Sequence, residues 1–166
     1  MELGDVASAQ KIYYELLEEG HSNKDTSKIF NSLYSLGQLY AGEEDYESAI
    51  KHFLSIIELK KTYKGRASNY VLTDYELSQA YMNSGQDDKA LEVIKSGLVY
   101  LEQNKIDRLK PDFLVLEGRI ALDNNDLYTA QRIYQEVAPL AIKNNDRYTT
   151  ESVSYTHLTL PTILLV

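Results

Sequence analysis

Few side chains in this sequence could serve as nucleophile, general base or metal ligand, and their spacing argues against each role. There is no cysteine, so disulfide frameworks, thiolate metal sites and cysteine nucleophiles are excluded. His21 and His52 each lack a second ligand at the spacing a zinc site needs, and surface or packing roles are expected for both. The run Glu43-Glu44-Asp45 offers paired carboxylates or the start of a calcium loop. The glycine-centred spacing of such a loop is missing, and solvated charge at a helix start accounts for the run. Phosphate loops of the Gly-x-x-x-x-Gly-Lys-Ser/Thr type, His-Glu-x-x-His and Gly-x-Ser-x-Gly are also missing. The expectation is a noncatalytic chain with no cofactor and no bound metal.

Composition narrows the choice of partner. The 166 residues are 43% hydrophobic and 25% charged, which suits one soluble globular or repeat domain. Lys plus Arg number 17 against 25 Asp plus Glu, a formal net charge of -8. Direct nucleic-acid binding is disfavoured, because phosphate contacts need a basic surface. No apolar run reaches the roughly 18 residues of a membrane span. Met1-Glu2-Leu3-Gly4-Asp5 lacks the features of a secretory signal. With the lack of cysteine this agrees with a reducing cytoplasm, the expected location.

The elements that would carry any binding surface show up as repeats. Ala9, Ala49, Ala90 and Ala130 are spaced by 40, 41 and 40 residues. Four residues after each stands a bulky side chain: Tyr13, Phe53, Ile94 or Tyr134. Ahead of the last three alanines lie Leu36-Gly37-x-x-Tyr40, Leu77-Ser78-x-x-Tyr81 and Glu117-Gly118-x-x-Ala121. Leu33, Leu36, Leu39 and Tyr40 recur at helical spacing, as do Ile50, Phe53, Leu54 and Ile57. Neither helix can bury its apolar stripe alone, so neighbours must stack.

This pattern resembles the tetratricopeptide repeat, in which helix A carries Leu-Gly-x-x-Tyr and helix B carries Ala-x-x-x-Phe/Tyr. The best copy is Leu33 to Leu59, and the resemblance covers about residues 4 to 144. The copy with Glu117, Ala121 and Leu127 is weaker, the usual helix-B proline is missing, and the period exceeds that of the family. The implied fold is all-α, a right-handed α-solenoid of stacked antiparallel helix pairs with about seven helices. Helices are predicted at about 5-19, 27-42, 45-62, 69-84, 87-103, 111-124 and 126-143. The segments are then a partial repeat with its loop (1-25), full repeats at 26-66, 67-108 and 109-144, and a truncated helix at 145-152. Pro111 suits a first helical turn, and Asp45, Asp87 and Asp126 suit N-terminal charges or caps. Gly20 and Gly65 are expected in connections that need left-handed backbone.

Residues 153-166 differ from the rest, with no Asp, Glu, Lys or Arg. Their Thr, Tyr, Val and Leu would suit a terminal strand. However, Val153 to Thr162 back-translate to GTC TCT TAT ACA CAT CTG ACG CTG CCG ACG, which resembles a transposon-derived sequencing-library adapter. A short index would then encode Ile163 to Leu165, and the constant bases beyond it Val166. The tail, with His157 and Pro161, is therefore expected to be non-native. Truncation is expected at both ends, with self-association through uncapped solenoid ends as a corollary.

The family resemblance also implies where a partner would bind. Concave positions of helix A map to Tyr34, Ser35 and Gln38 in the first full copy, and to Tyr75, Glu76 and Gln79 in the second, with Met82 and Asn83 beyond. The third copy supplies Val115, Leu116 and Arg119. The expected groove is Tyr34, Gln38, Tyr75, Gln79, Met82 and Arg119, suited to a protein or peptide ligand. Partial filling of the inter-helix core is the alternative for the tyrosines. Some members of the family grip a chaperone's C-terminal carboxylate with Lys and Asn. Tyr34 and Gln38 replace that pair, so such a clamp is not expected. Acidic A-to-B turns and basic B-to-A connections at Lys60, Lys61, Lys64, Arg66, Lys105, Arg108 and Lys110 match macrodipole compensation better than steering of a charged partner.

The leading expectation is a peptide-binding scaffold segment of a larger bacterial protein. The second is the sensory half of a peptide-responsive transcription regulator without its helix-turn-helix, and the third an enzyme's repeat appendage.

Overall fold

The computed structural model describes residues 3–61 and 67–144, all of it helix, turn or short connection. Seven helices lie among the described residues: α1 (Leu3–Asn23), α2 (Thr26–Gly42), α3 (Tyr46–Leu59), α4 (Ala67–Asn83), α5 (Asp87–Gln103), α6 (Lys110–Asp123) and α7 (Leu127–Asn144). Within each of the two units described below, helices adjacent in sequence pack against one another, as the all-α expectation requires. No helix among these residues is long and apolar enough to cross a membrane. Gly65, the expected truncated helix at 145-152 and the tail 153-166 lie outside the described residues.

Short corners separate the helices, and five of them share one bonding scheme. At the corner after α2, the Asp45 amide donates to the Tyr40 carbonyl and the Glu44 amide to the Ala41 carbonyl. This paired closure satisfies carbonyls left over at a helix end and needs left-handed backbone at its penultimate residue. The same pair of bonds recurs at Lys24 and Asp25, Gly85 and Gln86, Lys105 and Ile106, and Asn125 and Asp126. The left-handed residues are Lys24, Glu44, Gly85, Lys105 and Asn125, and a single glycine is among them. Gly20, expected to be left-handed, is instead helical and buried inside α1. A Cβ there would meet Ile29 Cγ1 at 3.0 Å, so the glycine permits close approach of α2 rather than a turn. The helix thus runs on past Gly20 to Asn23, beyond the predicted end at 19.

At three corners the next residue is an aspartate that starts the following helix. The Asp25 carboxylate accepts from the Lys28 amide at 3.0 Å, Asp45 from Ser48 at 3.1 Å and Asp126 from Thr129 at 3.0 Å. Each satisfies one orphan amide of the first turn. Bonds from Ser48 and Thr129 hold the carboxyls of Asp45 and Asp126 below the usual range. Asp87 is already helical and contributes charge in the first turn of α5. Pro111 lies in the first turn of α6, as its missing amide predicts.

The chain divides into two compact units, Met1–Ala90 and Leu91–Val166. In the first, α1 packs on α2, α2 on α3 and α3 on α4, and α2 also touches α4. Leu36, Ala49, Phe53 and Ile56 are fully buried. The Phe53 ring fills the space beside Gly37, where a Cβ would lie 2.4 Å from Cε1. In the second unit α6 packs on α7 around Leu114, Ala130, Ile133, Tyr134 and Val137. There Tyr134 fits against Gly118, and Phe113 of α6 against Gly97 of α5, a Cβ lying 2.9 Å and 2.5 Å from the respective rings.

Candidate functional site

Within the first unit, α2 and α4 bring two of the expected groove residues, Tyr34 and Gln38, into one network with Glu76. The Tyr34 hydroxyl donates to Glu76 Oε1 at 3.1 Å, and the Gln38 amide donates to the same oxygen at 3.2 Å. Gln38 also reaches the Tyr34 hydroxyl at 3.4 Å. Tyr34 and Gln38 are one turn apart on α2 and so share a face. Glu76 stands on α4, the helix that α2 touches. The Tyr34 ring is half-buried, stacked on Phe30 (6.2 Å between centroids, 9°) and edge-on to Phe53 (6.1 Å). Tyr34 thus combines both readings, a ring in the core and a hydroxyl on the face. Burial first, and then the Glu76 carboxylate, raise its pKa well above the ordinary tyrosine value.

Beside this network a cavity of about 210 Å³ is lined by Phe30, Asn31, Tyr34, Asn69 and Leu72. Leu72 is 39% exposed, an apolar side chain open to solvent next to the Tyr34 ring. Gln38 is exposed, Tyr75, Glu76 and Gln79 are half-buried, and Met82 is buried. Arg119, on α6 of the second unit, is exposed. Asn31, Leu72 and the bonding role of Glu76 were not singled out from the sequence. Glu76 was expected at a concave helix position of the second copy, but only the folded chain brings its carboxylate to Tyr34 and Gln38.

A second polar group lies where α1, α2 and α3 meet. The Tyr14 hydroxyl lies 3.1 Å from the Tyr40 hydroxyl and 3.3 Å from His52 Nε2, and the Gln10 amide donates to the Tyr40 hydroxyl. The His52 and Tyr40 rings stack at 5.3 Å and 14°. Burial first, and then Lys51, lower the His52 pKa, so the imidazole is held neutral. A neutral ring with its proton on Nδ1 accepts from Tyr14, and the donors then run in one direction from Gln10 through Tyr40 and Tyr14 to His52. The Tyr14 hydroxyl, bonded to Tyr40 and partly desolvated, is pushed up to about 12. Buried packing therefore accounts for His52. Among the described residues no three His, Asp or Glu side chains converge as a metal site.

A family model of the tetratricopeptide repeat matches residues 30–63, which run from the first turns of α2 past the end of α3. That segment is a tetratricopeptide repeat, with α2 as its helix A and α3 as its helix B. Such repeats are in general noncatalytic protein-interaction scaffolds. No curated protein matches the chain.

Proposed function

We propose that this chain is a peptide-binding scaffold and that the exposed face of α2 and α4 in the first unit receives the ligand. The observation that carries this reading is the Tyr34–Gln38–Glu76 network beside the cavity under Leu72. Gln38 and Glu76 present an amide and a carboxylate to a peptide backbone, while the rings of Phe30 and Tyr34 and the Leu72 side chain form an apolar floor. The tyrosine ring is already fixed by Phe30 and Phe53, so little side-chain entropy is lost on binding. Met82 contributes from the buried side of α4 by packing. Arg119 belongs to the second unit, on α6, and forms no part of this face.

The test is selection from a displayed random-peptide library, followed by titration of the winners against variants. Gln38→Ala and Glu76→Gln should each weaken binding by roughly fivefold to tenfold, the worth of about one hydrogen bond. Thermal stability should hardly change for Gln38→Ala, because the side chain is exposed. Selected peptides indifferent to both variants would place the ligand elsewhere and refute this face.

A further inference from the structure

The face formed by α2 and α4 carries charge of one sign. Between Ile29 and Gly42, and between Ala67 and Asn83, the sequence has no Lys, Arg or His, and its only acids are Asp74 and Glu76. Asp74 is buried, with Lys60 Nζ 4.0 Å away. Lys28, in the first turn of α2, is held by Glu19 of α1 at 2.6 Å. Glu76 is therefore the formal charge that the face presents. It is half-buried, and no ion pair among the described residues reaches it.

The two oxygens of this carboxylate are not equivalent. Oε1 accepts from the Tyr34 hydroxyl at 3.1 Å and from the Gln38 amide at 3.2 Å, which uses both of its lone pairs. Both donors are neutral, so they orient the carboxylate without cancelling its charge. Oε2 has no bond among the described residues, and its lone pairs stay open. One turn earlier on α4, about 6 Å along the axis, Leu72 is open to solvent beside the cavity it lines with Phe30, Asn31, Tyr34 and Asn69. Two residues of an extended chain cover a similar distance, roughly 6.6 Å, and point to the same side. In chain order α1 precedes α2 and α5 follows α4, so the cavity is walled by helices from within the chain.

We propose that the peptide received by this face is basic, with a lysine or arginine two positions from an apolar side chain. The apolar side chain enters the cavity beside Leu72, and the cation meets Glu76 Oε2. This rests on the reading of α2 and α4 as a peptide-binding face and adds to it the chemical class of the ligand. Asn31 and Asn69 line the cavity with carboxamides that both donate and accept, as the backbone of a passing peptide requires. Partial burial of Glu76 shields its bond to an arriving cation from solvent, which favours a charge-assisted pair. The net charge of the chain, -8, draws a basic segment in and holds an acidic one off before contact. An acidic peptide would also set its own carboxylate against Glu76.

The experiment selects peptides from a displayed random library against the whole chain. A synthetic winner is then titrated beside a copy whose basic residue is neutralised, lysine as acetyl-lysine or arginine as citrulline. Winners should be enriched in Lys or Arg two positions from Leu, Ile or Phe. Neutralisation should weaken binding to the unchanged chain by about tenfold, and to Glu76→Gln by less than about twofold. Glutamine keeps an oxygen for Tyr34 and Gln38, and a thermal melt checks that the fold survives. Neutralising the peptide needs no change in the protein, so that readout stands even if Glu76→Gln folds poorly. Winners without the enrichment, or a neutralisation loss that persists in Glu76→Gln, would overturn the proposal. Winners weakened by Gln38→Ala but indifferent to neutralisation would keep the face and reject the basic ligand. Winners indifferent to Gln38→Ala and Glu76→Gln alike would reject the face itself, and a library that yields no binder would reject both.

Discussion

The α2–α3 pair and the α6–α7 pair solve the same packing problem with different side chains. In both, an aspartate caps helix B, a left-handed residue precedes it, and a glycine on helix A makes room for an aromatic on helix B. The fits differ in tightness. Phe53 presents the side of its ring to Gly37, whereas Tyr134 presents the hydroxyl end to Gly118. The left-handed residues differ as well, Glu44 in one pair and Asn125 in the other. In α4, which follows the first pair in sequence, the register turns a core leucine into an acid. Leu33, Asp74 and Leu114 are equivalent positions, and all three are buried. The shared devices fix how the helices pair, and the variable ones decide how firmly each pair is held.

The largest effect should come from filling the glycine notch. Gly37→Leu is expected to cost about 3 kcal/mol or more, and Gly118→Leu less, because Gly37 faces the flank of the Phe53 ring and Gly118 the hydroxyl end of Tyr134. Chemical denaturation of the two variants checks the order. Equal losses would mean that the closeness of the ring does not set the cost. Combining Gly37→Ala with Phe53→Leu should recover part of the Gly37→Ala loss by removing the ring edge.

The next effect has the opposite sign. Asp74 is buried with Lys60 Nζ 4.0 Å away, and burial pushes its carboxyl up to about 6, against the partial opposition of Lys60. The unfolded value is 3.8, so the folded chain binds the proton more tightly. Stability contributed by this group is then present below about pH 3.8 and lost as the pH rises through about 6. Asp74→Asn should therefore stabilise the chain at pH 7 by up to about 3 kcal/mol and give no gain near pH 4. Asp74→Leu, which restores the residue of the equivalent positions, should stabilise at pH 7 too. Thermal melts at the two pH values decide the matter, and a loss at pH 7 in both variants would show that the acid is needed for packing.

The smallest effect separates the corners. Glu44→Gly should stabilise by about 1 kcal/mol, the usual cost of left-handed backbone for a residue with a Cβ. Asn125→Gly should gain only a few tenths of a kcal/mol, because asparagine tolerates that conformation. Paired melting curves test the difference, and equal gains would point to helix propensity instead.

The register of the four alanines was readable because a small residue and a bulky one four positions on are a local demand of helix pairing. Ala49, Ala90 and Ala130 are indeed fully buried. The corners were less legible, since their left-handed residues are mostly Lys, Glu and Asn and carry no glycine signal. Gly20 gave the opposite error, because a glycine kept for close approach looks the same in sequence as one kept for a turn. The charge of Asp74 disguised a core position. The bond from Tyr34 to Glu76 joins residues 42 apart, and no local pattern announces it.

The paired bonds at the corners also have a kinetic side. Each closes across only a few residues, as from the Asp45 amide back to the Tyr40 carbonyl. A helical hairpin can therefore nucleate at its own bend before any distant contact forms, and little loop-closure entropy stands in its way. Refolding should begin independently at several bends along the chain, with the notch between Gly37 and Phe53 serving to lock a hairpin already made.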